Sequence, residues 1–321
     1  MRRLTLALVF GVGVACAGAP AGSVREADFR SDALGVSKHY LVWLPPGYDG
    51  GTRRYPVIYM LHGLSGDERN WVELGHIGAA AEKLGLQAII VMPDGDASFY
   101  SDWVTPARYE QCIAAPKLPF QRPGTPREGF CVRRANYETY IVKDLIGHVD
   151  ATYRTIADRR GRAIGGLSMG GFGALVLAFR HPDVFASVAS HSGVDALLYA
   201  GPRPFQPGQG KLATDLAGFI ARAGEFGRYW ELIFGTKLES WQAHDPASLA
   251  AGLKPGALAI YLDCGSEDEF GLDVQAAYLD EVLTARGIAH GYAKVPGHHN
   301  FDLWRERVVD SLRFHAEVFR R

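Results

Sequence analysis

The pentad Gly166-Leu167-Ser168-Met169-Gly170 restricts the fold of this chain more than any other stretch. It follows the short apolar run Ala163-Ile164 and opens a helix-compatible run from Phe172 to Phe179. A serine flanked this way at a strand-to-helix junction sits on a sharp turn. Its backbone is held in a strained conformation that lifts the hydroxyl clear of the sheet. The glycines two before and two after it leave room for the helix to pack on the strand. The same pentad can arise by chance in a chain with 38 glycines, so its meaning depends on what lies downstream.

The chain has 321 residues, enough for one large α/β domain or two small ones. A net charge of −1, without a basic run or an aromatic-basic stripe, argues against a nucleic-acid partner. No Cys-x-x-Cys or His-Glu-x-x-His pattern occurs, so neither a metal nor a cofactor is expected. The N-terminus is a separate object. Arg2-Arg3 precede an apolar stretch from Leu4 to Cys16, and small residues follow to Gly22. This reads as a secretory signal over residues 1–21, cut after Ala21, which makes the protein secreted or periplasmic. The run is too short for a comfortable membrane span. A lipoprotein signal on Cys16 ranks lower, because Gly13 stands where an aliphatic residue is wanted. Export permits disulfides. Cys112 and Cys131 bracket a Pro-rich segment and form a candidate staple, which leaves Cys264 as a lone buried thiol.

Strand and helix patterns alternate along most of the chain. Apolar runs at 40–44, 57–61, 88–92, 186–189, 258–262 and 292–295 suit buried parallel strands. Tyr137, Ile141, Leu145 and Val149 recur every four residues and predict an amphipathic helix over 137–153. Further helices are expected from Leu272, closed by Gly287, and over 308–319. The rhythm predicts a mainly parallel sheet with helices on both faces, in a single domain over 22–321. Residues 104–136 and 195–256 break the rhythm as insertions, and are natural walls or a lid for a site.

A serine hydroxyl needs a base to take its proton and a third group to orient that base. Asp263, Glu267, Asp268 and Glu269 follow the strand at 258–262, and Asp268 sits where a carboxylate can reach across the sheet. His298 and His299 follow the strand ending at Val295, and His299 is the favoured base. An oxyanion would need two backbone N–H groups. Met169 offers one, and Leu64, in the loop His62-Gly63-Leu64-Ser65-Gly66, offers the other. Phe99-Tyr100 and Trp103 form a candidate substrate wall, with ordinary core packing as the competing reading.

These pieces together resemble the esterase D-type branch of the α/β-hydrolases. That branch includes feruloyl, acetyl and tributyrin esterases, S-formylglutathione hydrolases and mycolyltransferases. The matching stretches are Val42-Trp43-Leu44-Pro45-Pro46-Gly47-Tyr48, Leu61-His62-Gly63, Met92-Pro93-Asp94-Gly95, Ser98 to Trp103, the nucleophile elbow Gly166-Leu167-Ser168-Met169-Gly170, Ser190-His191-Ser192-Gly193 and the 265–268 loop. Gly297-His298-His299-Asn300-Phe301, with Trp304, completes the set. The resemblance runs from about residue 28 to the C-terminus, and its motifs imply the α/β-hydrolase fold. It implies a base five residues before Trp304, which selects His299, and an acid at Asp268. It departs at His298, where a glycine is common, and in the two-cysteine insertion. It implies a serine carboxylesterase acting on short-acyl or aromatic-acyl esters, carbohydrate-linked ones included. The alternatives are an acyltransferase using the same acyl-enzyme, and a non-catalytic binding protein, which would need a broken elbow or a missing partner.

Overall fold

The computed structural model describes residues 21–121 and 126–321. Apart from Ala21, the expected leader lies outside the described residues.

Eight strands form one sheet: β1 (Ser23–Ser31), β2 (Val36–Leu44), β3 (Val57–Leu61), β4 (Ile89–Pro93), β5 (Arg162–Leu167), β6 (Ser187–His191), β7 (Ala259–Gly265) and β8 (His290–Val295). Their spatial order is β1-β2-β4-β3-β5-β6-β7-β8. β1 and β2 pair antiparallel, as do β2 and β4, and the remaining pairs are parallel. Every residue of β3, β4 and β6 is buried, as a sheet covered on both faces requires.

Side chains alternate between two apolar layers. Tyr40, Val42, Tyr59, Leu61, Val91 and Ile164 share one layer with the helices Met169–Arg180 and Leu272–Ala285. Leu41, Trp43, Ile58, Met60, Ile90 and Met92 share the other with the helices Ile77–Lys83 and Phe301–Val318. Helix Met169–Arg180 is buried from its first residue to Phe179, so it is gripped almost all round. A fully buried phenylalanine such as Phe172 is worth about 3–5 kcal/mol against alanine. This grip fixes the start of the helix, where Ser168 sits.

The helix expected over 137–153 is divided. Tyr137–Thr139 and Ile146–Thr152 are α-helical, and Tyr140–Leu145 between them is a π-helical stretch. An apolar period of four is longer than the 3.6 of an α-helix, and wider π turns keep such a stripe on one face.

In the 104–136 insertion, the short helices Tyr109–Ala114 and Arg127–Phe130 are joined by a Cys112–Cys131 disulfide, with Cα atoms 5.7 Å apart. Cys264 is free and buried. The 195–256 insertion holds the helix Leu216–Phe234, which kinks at Gly224 (φ 61°, ψ −123°). Asp215 caps that helix by accepting from the Gly218 N–H at 3.0 Å. Among the described residues, no helix is long and apolar enough to cross a membrane.

Candidate active site

Ser168 stands between β5 and the helix Met169–Arg180 with φ 53° and ψ −119°. This is backbone that non-glycine residues rarely adopt, and the surroundings hold it there. The Ser168 N–H donates to the His191 carbonyl at 2.9 Å. The elbow glycines are needed for space. A Cβ on Gly166 would lie 2.4 Å from the Gly170 carbonyl oxygen, and one on Gly170 would lie 2.4 Å from that of Leu61.

His299 bridges the serine and a carboxylate. Its Nε2 is 3.0 Å from Ser168 Oγ, and its Nδ1 is 2.7 Å from Asp268 Oδ2. The Asp268 side chain is fully shielded from solvent, so the ion pair it can form works at low dielectric. Its other oxygen accepts from the N–H groups of Phe270 (3.0 Å) and Leu272 (3.2 Å). Those bonds fix the orientation of the carboxylate. The ring of Phe270 packs edge-on against the imidazole at 4.8 Å, and Trp304 does so at 4.9 Å. The imidazole therefore has one orientation.

The neighbouring acids and histidine are occupied elsewhere. Asp263 pairs with His191 at 3.0 Å. The half-exposed His298 faces Glu269 at 2.8 Å and Glu267 at 3.4 Å. Glu269 also accepts the His299 N–H at 2.9 Å. The acidic run after β7 thus frames the histidine loop.

The loop after β3 closes over the serine. A Cβ on Gly63 would sit 3.4 Å from Ser168 Cβ, so this loop lies against the elbow. Leu64 and Met169 line the same space as Ser168 and His299, and neither N–H has an acceptor among the described residues. His62 braces the loop. Its Nε2 accepts from the Gly95 N–H at 2.9 Å, which leaves the hydrogen on Nδ1 to donate to the Gly63 carbonyl at 2.8 Å. Behind His62 lies a buried ionic group. The Lys38 ammonium donates to Asp94 (2.6 Å) and Asp96 (2.8 Å). Burial works against the lysine charge, but the two carboxylates outweigh it and hold its pKa up at about 12. Burial and the neighbouring Asp94 push Asp96 up to about 7. Asp94 is held below the usual carboxylate range by Lys38 despite its burial.

Ser168 and His299 open into a cavity of about 890 Å³. Its walls are largely aromatic: Phe99, Phe219, Phe226, Trp230 and Phe270, with Phe120 from the cysteine-stapled insertion. Both insertions therefore contribute to the cavity wall. The expected substrate wall needs correction. Tyr100 is wholly buried, with its hydroxyl donating to the His62 carbonyl at 3.1 Å, and it does not line the cavity. Phe99 takes that place. Trp103 lines a separate hollow of about 530 Å³ against Tyr229 and the stapled insertion. Consecutive residues with φ of 54° and 50° turn Phe99 and Tyr100 in different directions, which residue type alone does not signal. The sequence reading also missed Phe270, whose position two residues after Asp268 was the available clue. Among the described residues, no group of three His, Cys, Asp or Glu side chains could hold a metal ion.

Comparison with known proteins places this geometry in context. An esterase of Mycobacterium tuberculosis is 35% identical over 170 residues, covering 53% of this chain and 32% of that protein. The chain thus spans about a third of the length of the first curated relatives it matches. The S-formylglutathione hydrolase of Bos taurus is 28% identical and covers 92% of this chain and 94% of its own. A solved ferulic acid esterase superposes with a TM-score of 0.61 at 23% identity, over 93% of this chain and 99% of its own, which bears on the fold alone. The neighbours establish the α/β-hydrolase fold for the sheet described above. The family described as "Putative esterase" matches residues 31–315, and this chain belongs to it.

Proposed function

We propose that this protein is a serine carboxylesterase that cleaves short-acyl or aromatic-acyl esters through an acyl-enzyme. One observation carries the reading: His299 lies 3.0 Å from Ser168 Oγ and 2.7 Å from Asp268, at the wall of an apolar cavity. His299 takes the Ser168 proton as the oxygen attacks the ester carbonyl. Asp268 keeps the hydrogen on Nδ1 and offsets the imidazolium charge. The Leu64 and Met169 N–H groups receive the developing oxyanion, and losing one such donor costs about 10²–10³ in rate. His299 then gives the proton to the departing alcohol. Water repeats the sequence and frees the acid. The aromatic walls favour a flat or apolar acyl group.

Export is part of the proposal. The basic-apolar-small N-terminus supports it, and the Cys112–Cys131 disulfide is in keeping with an oxidising compartment. N-terminal sequencing of the cell-exported protein is expected to begin at Gly22.

The activity test is a panel of chromogenic esters, from acetate to ferulate, with and without an added alcohol. Hydrolysis by the native protein and none by Ser168→Ala supports the reading. New ester formed on the alcohol in excess of free acid would make the protein an acyltransferase. No turnover of any ester by folded protein would remove both readings.

A further inference from the structure

Among the described residues, the cavity beside Ser168 is lined by two cations and by no carboxylate. Arg203 and Arg222 are its only lining side chains with a fixed charge among the described residues. Many arginines of this protein already hold an acid: Arg25, Arg162, Arg180 and Arg307 are examples. Arg203 and Arg222 make no direct ion pair among the described residues, although the Arg222 guanidinium and the Asp215 carboxylate both approach Gly218. The guanidinium of Arg203 lies over the Tyr199 ring and donates to the Gly271 carbonyl at 3.0 Å, with no carboxylate in direct contact among the described residues. An isolated surface arginine is solvated and needs no partner. Two at the border of one apolar space are different, because low-dielectric walls focus their field into the volume a substrate occupies.

The position of Arg203 says which part of an ester it meets. Gly271 follows Phe270, whose ring packs against the His299 imidazole at 4.8 Å. Arg203 therefore stands on the imidazole side of the serine. The departing alcohol takes its proton from that imidazole, so it leaves on the same side. A guanidinium presents its donors as a planar fork that matches a carboxylate.

We infer that the alcohol portion of the natural ester carries a carboxylate, received by Arg203 and Arg222 at the border of the cavity. The inference rests on the esterase reading above and narrows it to esters of hydroxy acids.

The test compares para-acetoxybenzoate with its neutral isostere para-acetoxybenzamide, with para-nitrophenyl acetate as the reference ester. The native enzyme is expected to favour the benzoate in kcat/KM by about fivefold at low salt, the range of exposed ion pairs. High ionic strength is expected to bring that ratio toward one. Arg203→Gln with Arg222→Gln is expected to do the same through KM, and Arg→Lys at both positions to recover part of the preference. Both side chains are exposed, so the double variant is expected to keep the native Tm; should it fail to fold, the salt dependence of the native enzyme remains decisive. A native ratio at or below one, or a ratio indifferent to both salt and substitution, overturns the inference while para-nitrophenyl acetate turnover leaves the esterase reading standing. Absence of para-nitrophenyl acetate turnover by folded enzyme defeats the esterase reading, and this inference with it.

Discussion

The described residues bring the same three side-chain types into contact twice. At the cavity, Asp268, His299 and Ser168 are linked at 2.7 and 3.0 Å. In the interior, Asp263, His191 and Ser311 are linked at 3.0 and 2.8 Å. The distances do not separate them. The surroundings do. His191, Asp263 and Ser311 are all fully buried, and Ser311 lies within the helix Phe301–Val318, with the Val308 carbonyl as a second acceptor at 3.1 Å. No ester carbonyl can approach it. Ser168 stands on strained backbone at the cavity wall, next to two N–H groups without acceptors among the described residues. The linked side chains are therefore only part of a nucleophilic site; access and waiting oxyanion donors supply the rest. Inside, the same chemistry is a tie between β6, β7 and the last helix.

The comparison breaks most sharply at the two serines. Ser168→Ala is expected to lower the esterase rate by about 10⁴-fold or more with little change in Tm. A Ser168→Ala enzyme that still turned over esters at native rates would move the chemistry elsewhere. Second in size is Asp263→Asn. Asp263 accepts from His191 and also meets Arg307 at 3.3 Å, so losing its charge is expected to cost about 3 kcal/mol in denaturant unfolding. Turnover per folded molecule should survive, and its loss with stability intact would make the interior group catalytic.

A third test uses pH. Burial and the nearby His191 depress His315 to about 3, while Ser187 holds its Nδ1 at 2.8 Å. The unfolded chain binds a proton on this histidine below its ordinary value of ~6.5, and the folded chain refuses it until about 3. Stability is thus fully present above that ordinary value and falls as the pH drops toward about 3, by at most ~1.4 kcal/mol per pH unit from this group. Unfolding curves of His315→Gln should show a shallower acid slope than the native protein, and equal slopes would contradict the assignment. The smallest effect is expected at His298, which is half-exposed and faces Glu267 and Glu269. His298→Ala should keep most of the rate in the chromogenic assay; a loss matching that of His299→Ala would reassign the base.

Much of this was legible from the chain. The elbow pentad, the continuous apolar strands and the histidine loop announce themselves, because each needs particular residue types at fixed spacing. What stayed hidden depends on tertiary neighbours. β1 has a mostly exposed, polar sequence and exists because β2 supplies its hydrogen bonds. Lys38 reads as a surface residue, yet is fully buried because Asp94 and Asp96 surround its ammonium. Tyr100 reads as a cavity wall, yet its ring packs beneath Gly95 and Gly173, where any Cβ would collide with it. Asp263 lies in β7 and Asp268 in the loop just after it, and only the fold decides which histidine each receives.

The central claim is that the Ser168 oxygen is nucleophilic because His299 faces it from an accessible wall. Fluorophosphonate treatment of the folded protein, followed by peptide mass mapping, tests this most directly. A single adduct on Ser168, lost in His299→Ala protein of native Tm, is the expected result. An adduct on another residue, or none on folded native protein, would contradict it.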